Sequence, residues 1–154
     1  MSSESQIEDP ARPMRLIGQV SRAFARLVDA PLRQLGFAIG QLPVLVTLKK
    51  AGALSQAELA RMAQVEQSSM AQLLNRMERD NLVRRVPDPA DGRSRLISLT
   101  ARASRQMPNG KLIMDEVCET ALTGFTSEER SQLVSLLLRI DANLEQALAD
   151  RDSG

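Results

Sequence analysis

Apolar residues recur every three or four positions through most of the chain, which is the spacing of amphipathic α-helices. The first such stripe covers residues 14–29, and Pro31 is expected to end this helix or to start a new turn. Residues 41–50 predict a second helix, which Gly52 ends. Residues 1–13 are rich in Ser, Pro and acidic residues and predict a disordered arm.

Two short helices joined by a tight turn are predicted for residues 54–63 and 67–79. Ser55 is a suitable N-cap for the first of them, and Glu58, three residues later, completes a capping box. Asn81 follows the second helix and tolerates the left-handed conformation found at helix ends. This arrangement predicts a helix-turn-helix.

The apolar period then changes from 3.6 to 2, which indicates β-structure. Leu82–Val86 and Arg95–Leu99 predict two short strands, and residues 87–94 predict a long polar tip between them. A helix-turn-helix followed by such a hairpin is a winged helix. The predicted fold class is therefore mostly α-helical, with a small β-hairpin wing and additional helices.

Two longer helices are predicted in the last third of the chain. Thr100 can cap the first, residues 101–124, in which Pro108-Asn109-Gly110 predicts a kink or short break. A second capping box, residues 126–129, opens the last helix, whose apolar stripe reaches Leu148. These helices could pack on their own domain or bury their surplus apolar surface in a dimer.

Composition narrows the function classes. The 154 residues contain no His and one Cys, which exclude a His-based catalytic triad, a disulfide within the chain and a Cys-rich zinc site. We expect one domain, no enzyme activity, no cofactor and no metal. The polar N-terminus is no secretory signal, and the longest uncharged run, residues 34–48, is too short to span a membrane. The expected location is cytoplasmic.

Charge is distributed unevenly along a chain whose net charge is only +1. Residues 55–105 carry nine basic residues, all Arg, and six acidic residues, whereas residues 106–154 carry four basic and nine acidic residues. The basic middle segment suggests an anionic partner, although a solvated charged surface has the same composition.

The helix at 67–79 has one apolar and one polar face. The polar face carries residue types that read base edges in DNA: Gln67, Ser68, Ser69, Gln72, Asn75 and Arg76. Gln and Asn can pair bidentately with adenine, and Arg with guanine. Because this helix is the second of a predicted helix-turn-helix, we expect it to bind double-stranded DNA. Ser55 and Gln56, at the start of the first helix, are expected to contact phosphates.

The wing carries further candidate contacts. Its tip has Asp91, Arg93 and Arg95, and an Arg at a hairpin tip can enter a narrow minor groove. Asp91 is expected to hold the Arg93 guanidinium in a fixed orientation, and the alternative is an ordinary surface salt bridge. Arg84 and Arg85 are expected to contact phosphates.

The segment from Leu54 to Thr100 resembles the multiple-antibiotic-resistance regulator (MarR) family. The matching pieces are Leu54-Ser55-Gln56-Ala57-Glu58-Leu59-Ala60, Gln67-Ser68-Ser69-Met70, Leu73-Leu74-Asn75-Arg76-Met77-Glu78-Arg79-Asp80-Asn81-Leu82-Val83, Asp88-Pro89-Ala90-Asp91-Gly92-Arg93 and Leu99-Thr100. The Asp-x-Arg of the wing, followed by a strand and Leu-Thr, is the most specific piece. Asn81 stands where the family usually has Gly.

The resemblance extends over about residues 14–148 and implies an obligate homodimer that binds a pseudo-palindromic operator and usually represses transcription. In a single domain at 14–150, residues 54–100 would bind DNA and the helices at 14–50 and 101–150 would dimerise. The apolar residues assigned to the dimer are Ile17, Val20, Val117, Ala121, Leu133, Leu137, Ile140 and Leu144.

The resemblance also implies release by a small phenolic or aromatic carboxylic molecule. This effector would bind between the winged helix and the dimer helices, and Phe37, Gln41 and Met107 are the candidate pocket residues.

Two alternatives remain at this stage. The winged helix could bind protein instead of DNA, although the polar helix face lacks the aromatic anchors of protein interfaces. The chain could also be a regulator that senses oxidants at its single cysteine, Cys118. That residue lies on an apolar helical stripe, so we expect it to be buried and unreactive.

Overall fold

The computed structural model describes residues 9–154, which divide into two units, one ending at Val117 and the other covering Cys118–Gly154. The helices are α1 (Arg12–Gln34), α2 (Leu42–Ala51), α3 (Gln56–Met62), α4 (Gln67–Arg79), α5 (Ala101–Ala121) and α6 (Ser127–Asp152); the strands are β1 (Ala53–Leu54), β2 (Val83–Asp88) and β3 (Asp91–Leu99). The predicted fold class, mostly α-helical with a small wing, is confirmed.

Helix α1 is longer at both ends than its sequence pattern predicts. It begins at Arg12, so the last two residues of the predicted disordered arm are helical, while residues 1–8 of that arm lie outside the described residues. The expectation that Pro31 ends the helix is wrong, because α1 continues to Gln34. Val28 and Leu32, on either side of this proline, are fully buried in the core. Their packing offsets the roughly 3 kcal/mol that an internal proline costs.

The helix-turn-helix forms as its local signals predict. The second helix has the predicted bounds, Gln67–Arg79, and the first, α3, begins directly after Ser55. Asn81 has a φ of 56°, the left-handed conformation expected of it. Three apolar residues of α4 are completely buried, namely Met70, Leu74 and Met77. They join a core of Leu, Val, Met, Ala and Ile side chains, together with Phe37, that includes residues of α1, α2, α3 and β3.

The wing is a three-stranded antiparallel sheet in the order β1, β3, β2. The hairpin strands pair from Val83 opposite Leu99 to Asp88 opposite Asp91, with an irregularity after Pro87. The predicted long tip is therefore wrong: both strands extend into it, and only residues 89 and 90 lie between them. The third strand, β1, is two residues long, too short to show an alternating pattern.

Helix α5 runs without a break from Ala101 to Ala121, which corrects the expected interruption at residues 108–110 and the expected end at residue 124. Thr100 caps it as predicted, because its Oγ1 accepts the N–H of Ala103 at 3.1 Å. Gly110 is buried against Phe37, and a Cβ at this position would lie only 3.3 Å from the Phe37 ring. This glycine therefore provides room for an aromatic side chain and does not end the helix.

The second unit contains the end of α5 and helix α6. Thr126 and Glu129 form the predicted capping box at the start of α6: Thr126 Oγ1 accepts the Glu129 N–H at 3.1 Å, and Glu129 Oε2 accepts the Thr126 N–H at 2.8 Å. Arg130 donates to both carboxylate oxygens of Glu119, at 2.8 and 2.9 Å. This bidentate hydrogen bonding lowers the pKa of Glu119 and raises that of Arg130. No residue of α6 is buried in the chain by itself.

Candidate nucleic-acid interface

The capping box of α3 fixes where the helix-turn-helix begins. Ser55 Oγ accepts the Glu58 N–H at 3.2 Å, and Glu58 Oε2 accepts the Ser55 N–H at 2.8 Å. The hydrogen bond from the Ser55 backbone is the main cause that lowers the pKa of Glu58, so the carboxylate is held in its charged form. Gln56, the next residue, has an amide that reaches the Gln67 carbonyl at 3.4 Å, at the start of α4.

Helix α4 presents the polar face that its sequence predicts. The six candidate base-reading residues, Gln67, Ser68, Ser69, Gln72, Asn75 and Arg76, are all exposed. They lie opposite the buried Met70, Leu74 and Met77, because apolar residues spaced by three and four share one side of a helix. The major groove of DNA is wide enough to admit one α-helix, so the exposed face of α4 can contact base edges there.

The wing tip is ordered by its aspartates. Asp88 Oδ1 accepts the Ala90 N–H at 2.9 Å, and Asp91 Oδ1 accepts the Arg93 N–H at 3.0 Å. Asp91 thus holds the backbone of the tip and not the Arg93 guanidinium, which corrects the expected ion pair. Asp91, Arg93 and Arg95 are all exposed. The guanidinium groups of Arg93 and Arg95 can therefore reach an anionic partner.

The two arginines of β2 have different surroundings. Arg84 is exposed, whereas Arg85 is partly buried, as alternation along a strand requires. Arg85 Nε donates to Glu78 Oε2 at 3.1 Å, and its Nη2 donates to Asn75 Oδ1 at 2.9 Å. Glu78 is not among the site residues predicted from the sequence. The available signal was its spacing of three from Asn75, which brings the two side chains to the same side of α4.

The three candidate effector residues line two neighbouring cavities. Phe37 and Met107 line an almost wholly apolar cavity of about 570 Å³ between α2 and α5. Gln41 instead lines a smaller cavity of about 360 Å³ with a mixed polar and apolar lining that includes Asp80 and Arg102, and Phe37 lines both cavities. Lys49, Lys50 and Lys111, which are all the lysines of the chain, line the apolar cavity.

The residues assigned to a dimer are mostly exposed apolar side chains. On α1, Ile17 and Val20 are exposed, the latter by 64%. On α6, Leu133, Leu137 and Leu144 are exposed, while Ile140 is partly exposed. On α5, Ala121 is exposed and Val117 partly so. A single chain thus leaves an unusual amount of apolar surface in contact with water.

Cys118 does not have the burial expected from its position on an apolar stripe. It is exposed and carries a free thiol. Val117 is the last residue of α5 that packs against the core. The apolar stripe continues past this point to Cys118, where none of the described core side chains covers it.

A helix-turn-helix with an exposed Gln, Ser, Asn and Arg face, followed by an arginine-bearing wing, defines a winged-helix transcriptional regulator. A family model described as the MarR family matches residues 35–94. The HTH-type transcriptional regulator YybA of Bacillus subtilis is 26% identical over 133 residues, which make up 86% of this chain and 89% of that protein. The chain belongs to the MarR family.

Solved structures share the fold. The transcriptional regulator PA3341 is 34% identical, with a TM-score of 0.70, over 86% of this chain and 97% of that one. The reduced form of MarR from E. coli is 26% identical, with a TM-score of 0.66, over 82% and 93% of the two chains. A mutant MarR from E. coli complexed with operator DNA has a TM-score of 0.73 at 24% identity, over 82% and 91% of the two chains.

No helix among residues 9–154 combines the length and apolar character needed to cross a bilayer. Proteins of this family are transcription regulators, not enzymes.

Proposed function

We propose that this regulator acts in the cytoplasm as a homodimer that binds a pseudo-palindromic double-stranded operator and represses transcription. The exposed polar face of α4, placed second in a helix-turn-helix, is the observation that carries the proposal. In this proposal Gln67, Ser68, Gln72 and Arg76 specify bases, with Ser69 beside them. Two such helices in a dimer would lie roughly 34 Å apart, one turn of DNA.

Phosphate and minor-groove contacts complete the interface. Ser55, Gln56 and Arg84 would position the protein on the backbone, and Arg93 would enter the minor groove, with Arg95 beside it. The solved complex of a MarR relative with operator DNA supports DNA as the partner. Residues 54–100 would therefore form the DNA-binding part.

We propose that residues 14–50 and 101–150 form the dimerisation part, with the apolar side chains of α1 and α6 covered by a second copy of the chain. Exposed Leu and Val side chains on these helices support this assignment. Removing their apolar surface from water favours association by about 25 cal/mol for each Å² that is buried.

The proposed effector is a small molecule with an apolar, aromatic body and a carboxylate or phenolate. The apolar cavity lined by Phe37 and Met107 suits such a body, and the lysines that also line it suit a negative group. The smaller cavity beside Gln41 shares Phe37 with it. Salicylate is a suitable probe: we expect it to release the protein from the operator.

The decisive experiment is binding to a duplex of the gene's own upstream promoter at several salt concentrations, with non-specific competitor DNA. Competitor-resistant binding with a steep salt dependence is expected. Arg93→Ala should weaken binding to all sequences and reduce the salt slope by about one unit, whereas Gln72→Ala should change preference at particular base pairs. Affinity that ignores salt would instead favour a protein-binding winged helix.

Oxidant sensing at Cys118 is a second candidate, favoured by the exposure of its thiol. Loss of oxidant-dependent operator release in Cys118→Ser would support it. A retained oxidant response in this variant would exclude it.

A further inference from the structure

Arg85 contacts two residues of α4 at the same time. Its Nε donates to Glu78 Oε2 at 3.1 Å and its Nη2 donates to Asn75 Oδ1 at 2.9 Å. Asn75 and Glu78 are neighbours on one side of the helix, and Arg85 belongs to β2, the first strand of the wing hairpin. These two hydrogen bonds therefore join the helix that presents the candidate base-reading residues to the wing. We call Asn75, Glu78 and Arg85 the brace.

The brace limits what Asn75 can offer to DNA. An arginine side chain only donates hydrogen bonds, so the amide atom of Asn75 that faces it is the oxygen. The Arg85 hydrogen bond occupies one of the two lone pairs of that oxygen and fixes the plane of the amide. Bidentate pairing with adenine needs the donor and the acceptor of this amide aimed together at the base, so the brace restricts the orientation in which Asn75 could make such a contact.

The brace also limits what Arg85 can offer. The Glu78 carboxylate lies 3.1 Å from the Arg85 guanidinium and offsets its charge. The Arg85 side chain is 30% exposed, while Arg84 is exposed on the other face of the same strand. A paired and partly covered arginine neutralises a phosphate less effectively than an exposed one, so Arg84 is the better phosphate ligand of the two.

We propose that Arg85 is a positioning residue, which holds α4 at a fixed angle to the wing through Asn75 and Glu78, and that Asn75 serves this contact instead of reading bases. This inference rests on the proposed function, because it concerns how two DNA-contacting elements are held. Helix and wing enter different grooves, so the angle between them decides whether both dock at once. Loss of the brace weakens specific binding more than non-specific binding.

The test compares Asn75→Asp with Asn75→Ala on the same operator, with the wild-type protein as reference. Aspartate keeps an acceptor for Arg85 and removes the amide donors. We expect Asn75→Asp to keep the base preferences of the wild type, because a carboxylate accepts from Arg85 at least as well, while its added negative charge lowers the affinity for all sequences alike. Asn75→Ala is expected to lose about tenfold in operator affinity, with discrimination reduced across the whole half-site.

Arg85→Gln and Arg84→Gln form the matched pair for charge. Arg84→Gln should reduce the salt slope by about 0.9, the effect of one phosphate contact. Arg85→Gln should lower operator affinity and leave the salt slope close to that of wild type. Thermal unfolding of each variant checks that the protein is folded at the binding temperature.

Two results would overturn the brace. The first is loss of binding in Asn75→Asp equal to that in Asn75→Ala, with the change confined to one base pair, since Asn75 would then read a base. The second is a fall of the salt slope in Arg85→Gln equal to that in Arg84→Gln. A wild-type protein that binds the operator no better than random DNA would overturn the proposed function itself, and the brace with it.

Discussion

The Gln41 amide donates a hydrogen bond to the Asp80 carboxylate, with Nε2 and Oδ2 3.2 Å apart, across 39 positions of sequence. Gln41 is only 6% exposed, and its Oε1 accepts the Ala38 N–H at 2.8 Å. Asp80 follows the last residue of α4, and its backbone carbonyl accepts from Arg102 Nη1 at 2.9 Å. The end of α4 is thus tied both to the segment before α2 and to the start of α5.

We expect Gln41→Met to lower the free energy of unfolding by about 1 kcal/mol or somewhat more, because it removes the hydrogen bonds of the buried Gln41 amide to the Ala38 N–H and the Asp80 carboxylate. Denaturant unfolding measures the change. Gln34→Met, at an exposed position of α1, is the control and should change stability by less than about 0.5 kcal/mol. Equal effects of the two variants would show that the buried amide contributes nothing specific.

Asp91 provides a prediction about the wing tip. Asp91→Asn keeps a side-chain oxygen that can accept the Arg93 N–H and removes a negative charge near the DNA, so it should bind operator as tightly as wild type or more tightly. Asp91→Ala removes the acceptor, and we expect weaker binding because the tip loses its order. Fluorescence anisotropy with labelled operator measures both. If Asp91→Asn were the weaker variant, the carboxylate charge and not the backbone hydrogen bond would be the important feature.

Adjacent leucines of α6 test the dimer. Leu137→Glu should shift the protein to monomer, measured by analytical ultracentrifugation, and abolish operator binding, because a charge in the proposed interface has no partner. Leu138→Glu is the matched control. It is exposed by 62% and lies about 100° further around the helix, so the protein should remain a dimer. Monomers in both variants, or dimers in both, would refute the assigned face.

The capping box of α3 predicts a dependence on pH. The pKa of Glu58 lies below its usual value of 4.5 in the folded protein, so the unfolded chain binds the proton more tightly. The stabilisation by this carboxylate is therefore complete above the unfolded pKa and is lost as the pH falls through the folded value. Glu58→Gln should reduce the loss of stability between about pH 5 and pH 3, measured as Tm against pH. Parallel curves for the two proteins would show that Glu58 has no such role.

Several elements can be predicted from the sequence because their signals are local. Apolar residues spaced by three and four, followed by Asn81, predict the bounds of α4 correctly. The capping box of Ser55 and Glu58 predicts the start of α3. Such signals depend on residues within one or two turns of each other, so they are present before any tertiary contact forms. The exposed polar face of α4 follows from the same periodicity.

Other features depend on contacts between residues that are far apart in the sequence. Pro31 and Pro108 lie inside helices because packing of neighbouring side chains in the core outweighs the free-energy cost of an internal proline. Position 110 requires a glycine because the Phe37 ring occupies the space that a side chain would need. Asn75 and Arg85 belong to residue types that bind DNA, but only the folded chain brings them together with Glu78. Spacing along the chain cannot reveal such pairs, because contact energies act through space between segments whose relative placement the whole core determines.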